Sequence, residues 1–203
     1  MQEFVYYAPT EIIFGKNAES QTGKEIRKWG GNRVLIVYGG GSVKKSGLLG
    51  RIEEELKQEK IAFLEWGGVK TNPGLSFAEA GIKEALVFGA DFILAVGGGS
   101  SIDTAKAIAH GTANPENGLW DIWTGKAPLE KSLPVGVVLT ISAAGSEMSD
   151  SAVLTNEETG RKQGLSTPFN RVKFAVMNPE LTYTLPRYQL TCGIVDIMMH
   201  TMD

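Results

Sequence analysis

The 203-residue sequence has a single cysteine, Cys192, and only two histidines, His110 and His200. One thiol rules out an intrachain disulfide and a cysteine zinc cluster, and beside an apolar helix face it reads as core packing. With two imidazoles, one of them in a metal-type spacing, a Ser-His-Asp arrangement has no histidine to spare. Long apolar runs are missing as well. None approaches the roughly 20 residues that cross a bilayer, and "MQEFVYYAPTEIIFG" has neither the basic start nor the apolar stretch of a signal peptide. The chain is therefore expected to be cytoplasmic, with no membrane partner. Positive charge is scarce too: the formal net charge is −3 and the lysines are scattered, so no basic field exists for nucleic acid. Internal repeats and low-complexity tracts are absent.

What is present is an ordinary globular composition, 42% hydrophobic and 21% charged, enough for a substantial core in one domain or one domain plus the start of a second. The start reads as two short strands, "EFVYYA" and "EIIFG", joined by Pro9 and Thr10 into a hairpin or edge ribbon. Alternation follows: helix 18–29, strand 33–38, helix 47–58, strand 62–66, helix 75–87, strand 91–96 and helix 101–109. The near-continuous apolar runs "VLIVY" and "FILAV" predict strands buried on both faces, as a parallel sheet between helix layers requires. The fold class is α/β, a doubly wound, mostly parallel sheet. Residues 111–134 read as a loop rich in Gly, Pro and Trp; a strand "PVGVVLT" and short strands near 151–155 and 172–176 come next, and Pro186 opens a last helix.

Ligands of doubly wound sheets bind beyond the C-terminal strand ends, and two glycine triplets fall there. Gly39, Gly40, Gly41 and Ser42 follow the strand "VLIVY"; Gly97, Gly98, Gly99, Ser100 and Ser101 join "FILAV" directly to a helix. Without Cβ atoms, backbone N–H groups can approach a phosphate, and the helix N-terminus adds partial positive charge. Neither loop matches G-x-x-x-x-G-K-[ST] or G-x-G-x-x-G. Further along, "GIVDIMMHTMD" places Asp196 and His200 four apart, on one helix face, a spacing metals use. No Gly or Asn cap, basic last turn or following Pro stops that helix before Asp203.

Together, "GGGSSIDTAKAIA", "TISAAGSEMS", "NPELTYTLP" and "GIVDIMMH" resemble the iron-containing, group III, alcohol dehydrogenase family, and "YGGGSVKKSG" is similar to its NADP-dependent butanol dehydrogenase and aldehyde reductase branch. The resemblance covers essentially the whole chain. Members are roughly twice as long, with a dinucleotide-binding domain followed by an all-helical domain and the active site between them. It implies that residues 1–185 form the dinucleotide-binding domain and 186–203 the start of a truncated helical, metal-binding domain. It further implies a divalent metal, Fe²⁺ or Zn²⁺, held by an Asp and three His. Asp196 and His200 match the first pair, and the second pair has no counterpart, because the family gives His110 no metal role. His110 itself reads as a polar residue near a helix C-terminus, favourable to the dipole.

By the same resemblance, Gly97, Gly98, Ser100 and Ser101 bind the cofactor pyrophosphate, and Gly99 of the same loop is a further cofactor-binding residue. Asp103 orients that loop or reaches the nicotinamide ribose. Asn72 in "TNPG" approaches the cofactor, and Thr140 and Ser142 supply hydroxyls near adenine and phosphates, with Ser146 in the small-residue turn beside them. Lys162 reaches the nicotinamide-side ribose. NADP(H) is expected over NAD(H): where NAD-specific relatives carry an Asp that would repel a 2′-phosphate, this chain has Gly39, followed by Ser42, Lys44 and Lys45. The implied reaction is hydride transfer between NADP(H) and a small primary alcohol or aldehyde, and the implied assembly is a homodimer. Two alternatives stand beside it: a zinc-dependent, NAD-linked polyol dehydrogenase of the glycerol type (with dehydroquinate synthase in the same superfamily), against which the GGGS loop argues, and a non-catalytic nucleotide-binding module.

Overall fold

A computed structural model describes Glu3 and residues 7–202. In chain order the elements are β1 (Glu11–Phe14), α1 (Thr22–Lys28), β2 (Arg33–Tyr38), α2 (Ser42–Lys45), α3 (Leu48–Gln58), β3 (Ala62–Gly67), α4 (Leu75–Phe88) and β4 (Phe92–Gly97). They continue with α5 (Gly99–Ala113), α6 (Leu119–Trp123), β5 (Val135–Leu139), β6 (Ser151–Asn156), β7 (Arg161–Ser166), β8 (Phe174–Met177) and α7 (Arg187–Met202). Six strands form one sheet in the order β1-β8-β5-β4-β2-β3, every pair parallel, while β6 and β7 make a separate antiparallel pair. Among the described residues no helix is long and apolar enough to cross a membrane.

Alternation along the buried strands divides the core into two layers. Leu35, Val37, Ile93, Ala95 and Val137 face Ala105, Ile108 and Ala109 of α5 and Ala78 and Ala85 of α4. Val34, Ile36, Leu94, Val96 and Val138 face the other way, onto Ile26 of α1 and Ile52 and Leu56 of α3. Both faces of the sheet are therefore covered, the condition under which a parallel sheet reads as continuous apolar runs. After β2 the chain crosses to β3 on one side, whereas after β4 it continues to β5 on the other, so the topology reverses between β2 and β4. The register sets Tyr38 opposite Val96. Gly39 and Gly97 thus leave the sheet side by side, at the point where doubly wound folds open a crevice.

The structure departs from the sequence reading in several places. The expected first strand, "EFVYYA", lies largely outside the described residues. Its partner, β1, pairs in parallel with β8 as an edge strand. The helix expected from residue 18 begins as a 3₁₀ turn, Ala18–Gln21, before α1. Within 111–134 the chain forms α6, whose Trp123 is buried and donates its indole N–H to the Gln163 carbonyl at 3.1 Å. That carbonyl belongs to β7, a polar strand that periodicity did not reveal.

His110 is the clearest correction. It is fully buried, with Nε2 2.9 Å from Asn170 Oδ1 and Nδ1 2.8 Å from Ser132 Oγ. The Asn170 amide N–H groups donate to the carbonyls of Asp150 and Leu165, at 3.0 and 2.7 Å, which turns Oδ1 toward the ring. Nε2 therefore carries the proton, and Nδ1 accepts from the Ser132 hydroxyl. Burial pushes the His110 pKa down to about 4, so at neutral pH the ring is an uncharged cross-link between α5 and two distant segments. It is no cation for a helix dipole.

This has a measurable consequence. The folded pKa lies below the value near 6.5 of an unfolded histidine, so on acidification the unfolded chain takes up the proton first. The stability associated with the neutral ring is complete above about pH 6.5 and is lost as pH falls toward 4, by roughly 3 kcal/mol. Urea unfolding of wild type and His110→Gln between pH 7 and pH 4 should show the wild type losing more stability by about that amount. Equal losses would contradict the assignment.

Candidate functional site

The crevice between β2 and β4 is shaped by what its glycines lack. A Cβ on Gly98 would lie 2.3 Å from Ile141 Cγ2, and one on Gly97 would lie 2.6 Å from Ser101 Oγ. A methyl group at either position would force the facing side chain to move. Gly39 faces the same helix turn: a Cβ there would meet the Val69 carbonyl at 3.6 Å and Ser101 Oγ at 3.9 Å. The two glycine loops predicted from sequence therefore converge on the first turn of α5. Gly40 and Gly41 face open space, and Gly41, at φ +104°, precedes α2 in the left-handed conformation. Ser101 and Ile102 bond back to the Gly98 carbonyl at 3.0 and 3.1 Å. The N–H groups of Gly99 and Ser100 precede any intrahelical acceptor, so a 15-residue helix presents its positive end and free donors to the crevice.

The segment after β5 forms the opposite wall. Thr140 donates its N–H to Gly97 O at 3.1 Å, and with Ser42, Leu185 and Pro186 it lines a cleft of about 370 Å³. Asp103, on α5, accepts from the Ser146 hydroxyl and from the Val153 N–H at 3.0 Å. Through these two bonds Asp103 fastens the Ser146 turn and β6 to α5. Burial raises its pKa, against the opposing pull of those two hydrogen bonds. Asn72 and Lys162 also come together: Lys162 Nζ donates to Asn72 Oδ1 at 3.1 Å, bridging the loop after β3 to β7. Asn72 lines a second cavity, about 430 Å³, with Thr104, Thr155 and Glu157.

Sequence reasoning overlooked Lys106. It is fully buried, and its ammonium donates to the carbonyls of Ser146, Ser149 and Ser151 at 2.8, 3.2 and 2.9 Å. Burial lowers its pKa to about 8, leaving it protonated at neutral pH. The available signal was its position inside "IDTAKAIA", where Ile102, Ala105, Ala107, Ile108 and Ala109 spread apolar residues around the helix and leave little solvent face. Another overlooked group bears on the glycine loop. Lys44 Nζ lies 2.7 Å from Glu65 Oε2, and the Tyr38 hydroxyl donates to that same oxygen at 2.6 Å. The cation counted from sequence as near Gly39 is thus already paired, while Lys45 is exposed.

Asp196 and His200 lie on α7, with Oδ1 and Nε2 3.7 Å apart and both side chains substantially exposed. That is about the separation of two ligands each ~2 Å from one small divalent ion. The donor set fits a metal from one side. Among the described residues no group of three or more His, Cys, Asp or Glu is placed to complete such a site. The helix meets the crevice wall at Gly193, where a Cβ would lie 2.8 Å from the Ser142 carbonyl. Beyond that contact Ile194, Val195, Met198, Met199 and Met202 are exposed.

Comparison with known proteins finds relatives of this chain and of its fold. A family model described as iron-containing alcohol dehydrogenase matches residues 9–179. The chain is 43% identical over 203 residues to the probable NADH-dependent butanol dehydrogenase 2 of Bacillus subtilis, covering 100% of this chain and 52% of that protein. It is 40% identical to the NADPH-dependent aldehyde reductase YqhD of Escherichia coli K12, again over 100% of this chain and 52% of that one. The crystal structure of NADH-dependent butanol dehydrogenase A from Thermotoga maritima superimposes with a TM-score of 0.95 at 42% identity, covering 100% of this chain and 50% of that chain. The chain spans about half the length of the curated relatives it matches.

The steric reading of the crevice separates two glycines of similar sequence context. Gly98→Ala must displace Ile141 or the loop and should lower unfolding stability by about 1–3 kcal/mol. Gly40→Ala, with nothing within 4 Å of the new methyl, should change it by no more than about 1 kcal/mol in either direction. Denaturant unfolding of the two variants checks this, and equal destabilisation would refute it.

Proposed function

The chain belongs to the iron-containing alcohol dehydrogenase family, and on that premise we propose that it forms the NADP(H)-binding part of a divalent-metal-dependent alcohol dehydrogenase or aldehyde reductase. Its substrates are primary alcohols such as butanol, and the corresponding aldehydes. The observation that carries this reading is the convergence of both glycine loops on the first turn of α5, where Gly97 and Gly98 lie closer to facing side chains than an added Cβ would leave room for and Gly39 faces the Ser101 hydroxyl from the neighbouring strand.

In this reading the cofactor pyrophosphate takes the N–H groups of Gly99 and Ser100 with the hydroxyls of Ser100 and Ser101, and the positive end of α5 offsets its charge. Gly39 to Ser42 receive the adenosine ribose without a carboxylate to repel a 2′-phosphate. Thr140 and Ser142 line the opposite wall, which Asp103 holds through Ser146, and Lys162, oriented by Asn72, reaches the nicotinamide-side ribose. Asp196 and His200 supply two metal ligands. When bound, the metal supplies Lewis acidity toward an aldehyde or alkoxide oxygen, and the nicotinamide supplies or accepts the hydride. The relatives' names divide between NADH and NADPH; the preference for NADP(H) rests on Gly39 and Ser42.

Titrating wild type and Gly39→Asp with NADP⁺ and NAD⁺ tests the cofactor assignment. Wild type should bind NADP⁺ more tightly, and the variant should shift toward NAD⁺ by roughly tenfold, about the effect of a carboxylate placed against a phosphate. Wild-type binding of NAD⁺ as tight as, or tighter than, that of NADP⁺ would defeat it. Catalytic zinc sites take three protein ligands, so the 203-residue chain, with two placed together among its described residues, should bind cofactor without chelator-sensitive reduction of butyraldehyde by NADPH. Such turnover would mean that the metal sits on other ligands.

A further inference from the structure

The glycine loop after β2 does not stand alone. Directly beyond it, four side chains from four successive elements meet: Tyr38 at the end of β2, Lys44 on α2, Glu53 on α3 and Glu65 on β3. Tyr38 is nearly buried, and its ring lies against Gly67, where a Cβ would come within 2.4 Å of the ring carbons. That contact fixes the ring, and the ring fixes the hydroxyl that donates to Glu65 Oε2 at 2.6 Å. Lys44 bonds the same oxygen at 2.7 Å while its ammonium sits 5.3 Å from the centre of the Tyr38 ring. The lysine is therefore held from two directions, by a carboxylate and by an aromatic face. Lys44 and Tyr38 stabilise the charged form of Glu65 and lower its pKa, whereas burial and then the neighbouring Glu65 carboxylate raise that of Glu53.

A cation five residues past Gly39 would ordinarily add to the attraction for a 2′-phosphate. Here its charge is offset by a carboxylate, and a phosphate approaching Lys44 also approaches Glu65. We propose that Glu65 is a specificity-determining residue which, by holding Lys44 against Tyr38, weakens the chain's discrimination in favour of NADP(H) over NAD(H). The proposal rests on the dinucleotide reading of the crevice. It locates the control of cofactor choice on β3, outside the glycine loop itself. Glu65 acts through Lys44 and need not touch the cofactor.

A double-mutant cycle tests the claim. Binding of NADP⁺ and NAD⁺ is measured for wild type, Glu65→Gln, Lys44→Met and the double variant, and the ratio of the two affinities is compared. Glu65 and Lys44 side chains are 35% and 54% exposed, so all four proteins are expected to fold, and circular dichroism confirms that before titration. Glu65→Gln should raise the NADP⁺/NAD⁺ ratio roughly fivefold, the scale of one partly exposed ion pair. In the Lys44→Met background the same substitution should leave the ratio unchanged. An unchanged ratio in Glu65→Gln, or a shift that survives removal of Lys44, overturns the proposal. Wild-type preference for NAD⁺ with the cycle still showing Lys44-dependent coupling would defeat the NADP(H) assignment and leave the role of Glu65 standing. Failure of all four proteins to bind either cofactor would count against both.

Discussion

At the mouth of the sheet the main chain at Gly97 and Gly98 approaches facing side chains more closely than an added Cβ would leave room for, and the placement of the crevice follows from that contact. Gly98 lies where a methyl group would overlap Ile141, and Gly97 where it would overlap Ser101. Because β4 ends directly in α5, with no intervening loop, the first helical N–H groups emerge at the level of the strand ends rather than above them. The parallel register then sets Gly39 beside them. Glycine here gives up conformational restriction in the unfolded chain; in return the positive end of a long helix opens onto the crevice.

The same helix organises the wall on the other side. Asp103, Lys106 and His110 recur at helical spacing along α5, and each fastens a different segment. Asp103 holds Ser146 and Val153, Lys106 gathers the carbonyls of Ser146, Ser149 and Ser151, and His110 joins Ser132 to Asn170. Lys106 and His110 are buried and Asp103 is partly so, and each is satisfied by hydrogen bonds, the condition under which buried polar networks specify one arrangement. The irregular stretch between β5 and β6, which has no strand ladder of its own, takes its shape from this row. α5 is thus both the helix whose N-terminus opens onto the crevice and the anchor of the wall opposite.

How much of this could be read from sequence depended on whether the determining partner was local. Strands "VLIVY" and "FILAV" declare themselves because both faces are buried, and the bounds 33–38 for β2 agree with the structure. The glycine loops and the Asp196–His200 face were legible for the same reason, being set by spacing within one element, whereas the helix expected over 101–109 runs from Gly99 to Ala113. The strand "RKQGLS" was not, since it is polar and its order comes from pairing with β6 and from Trp123. His110 looked like a helix-end residue because nothing near it announces Asn170, sixty positions later. Likewise the partner of Lys44 is Glu65, brought close only by the pairing of β2 with β3. The meeting of Asn72 with Lys162, ninety residues apart, was anticipated only as two separate approaches to one cofactor.

The central claim is that a dinucleotide seats on the two glycine loops at once. Amide hydrogen exchange, with and without saturating NADP⁺, measures this directly in the unmodified chain. The account predicts added protection in two separate stretches, the 39–42 loop and the 97–102 turn, with little change in the exposed second half of α7. Protection confined to one loop, or found instead around the cavity lined by Asn72 and Glu157 with neither loop affected, would contradict it.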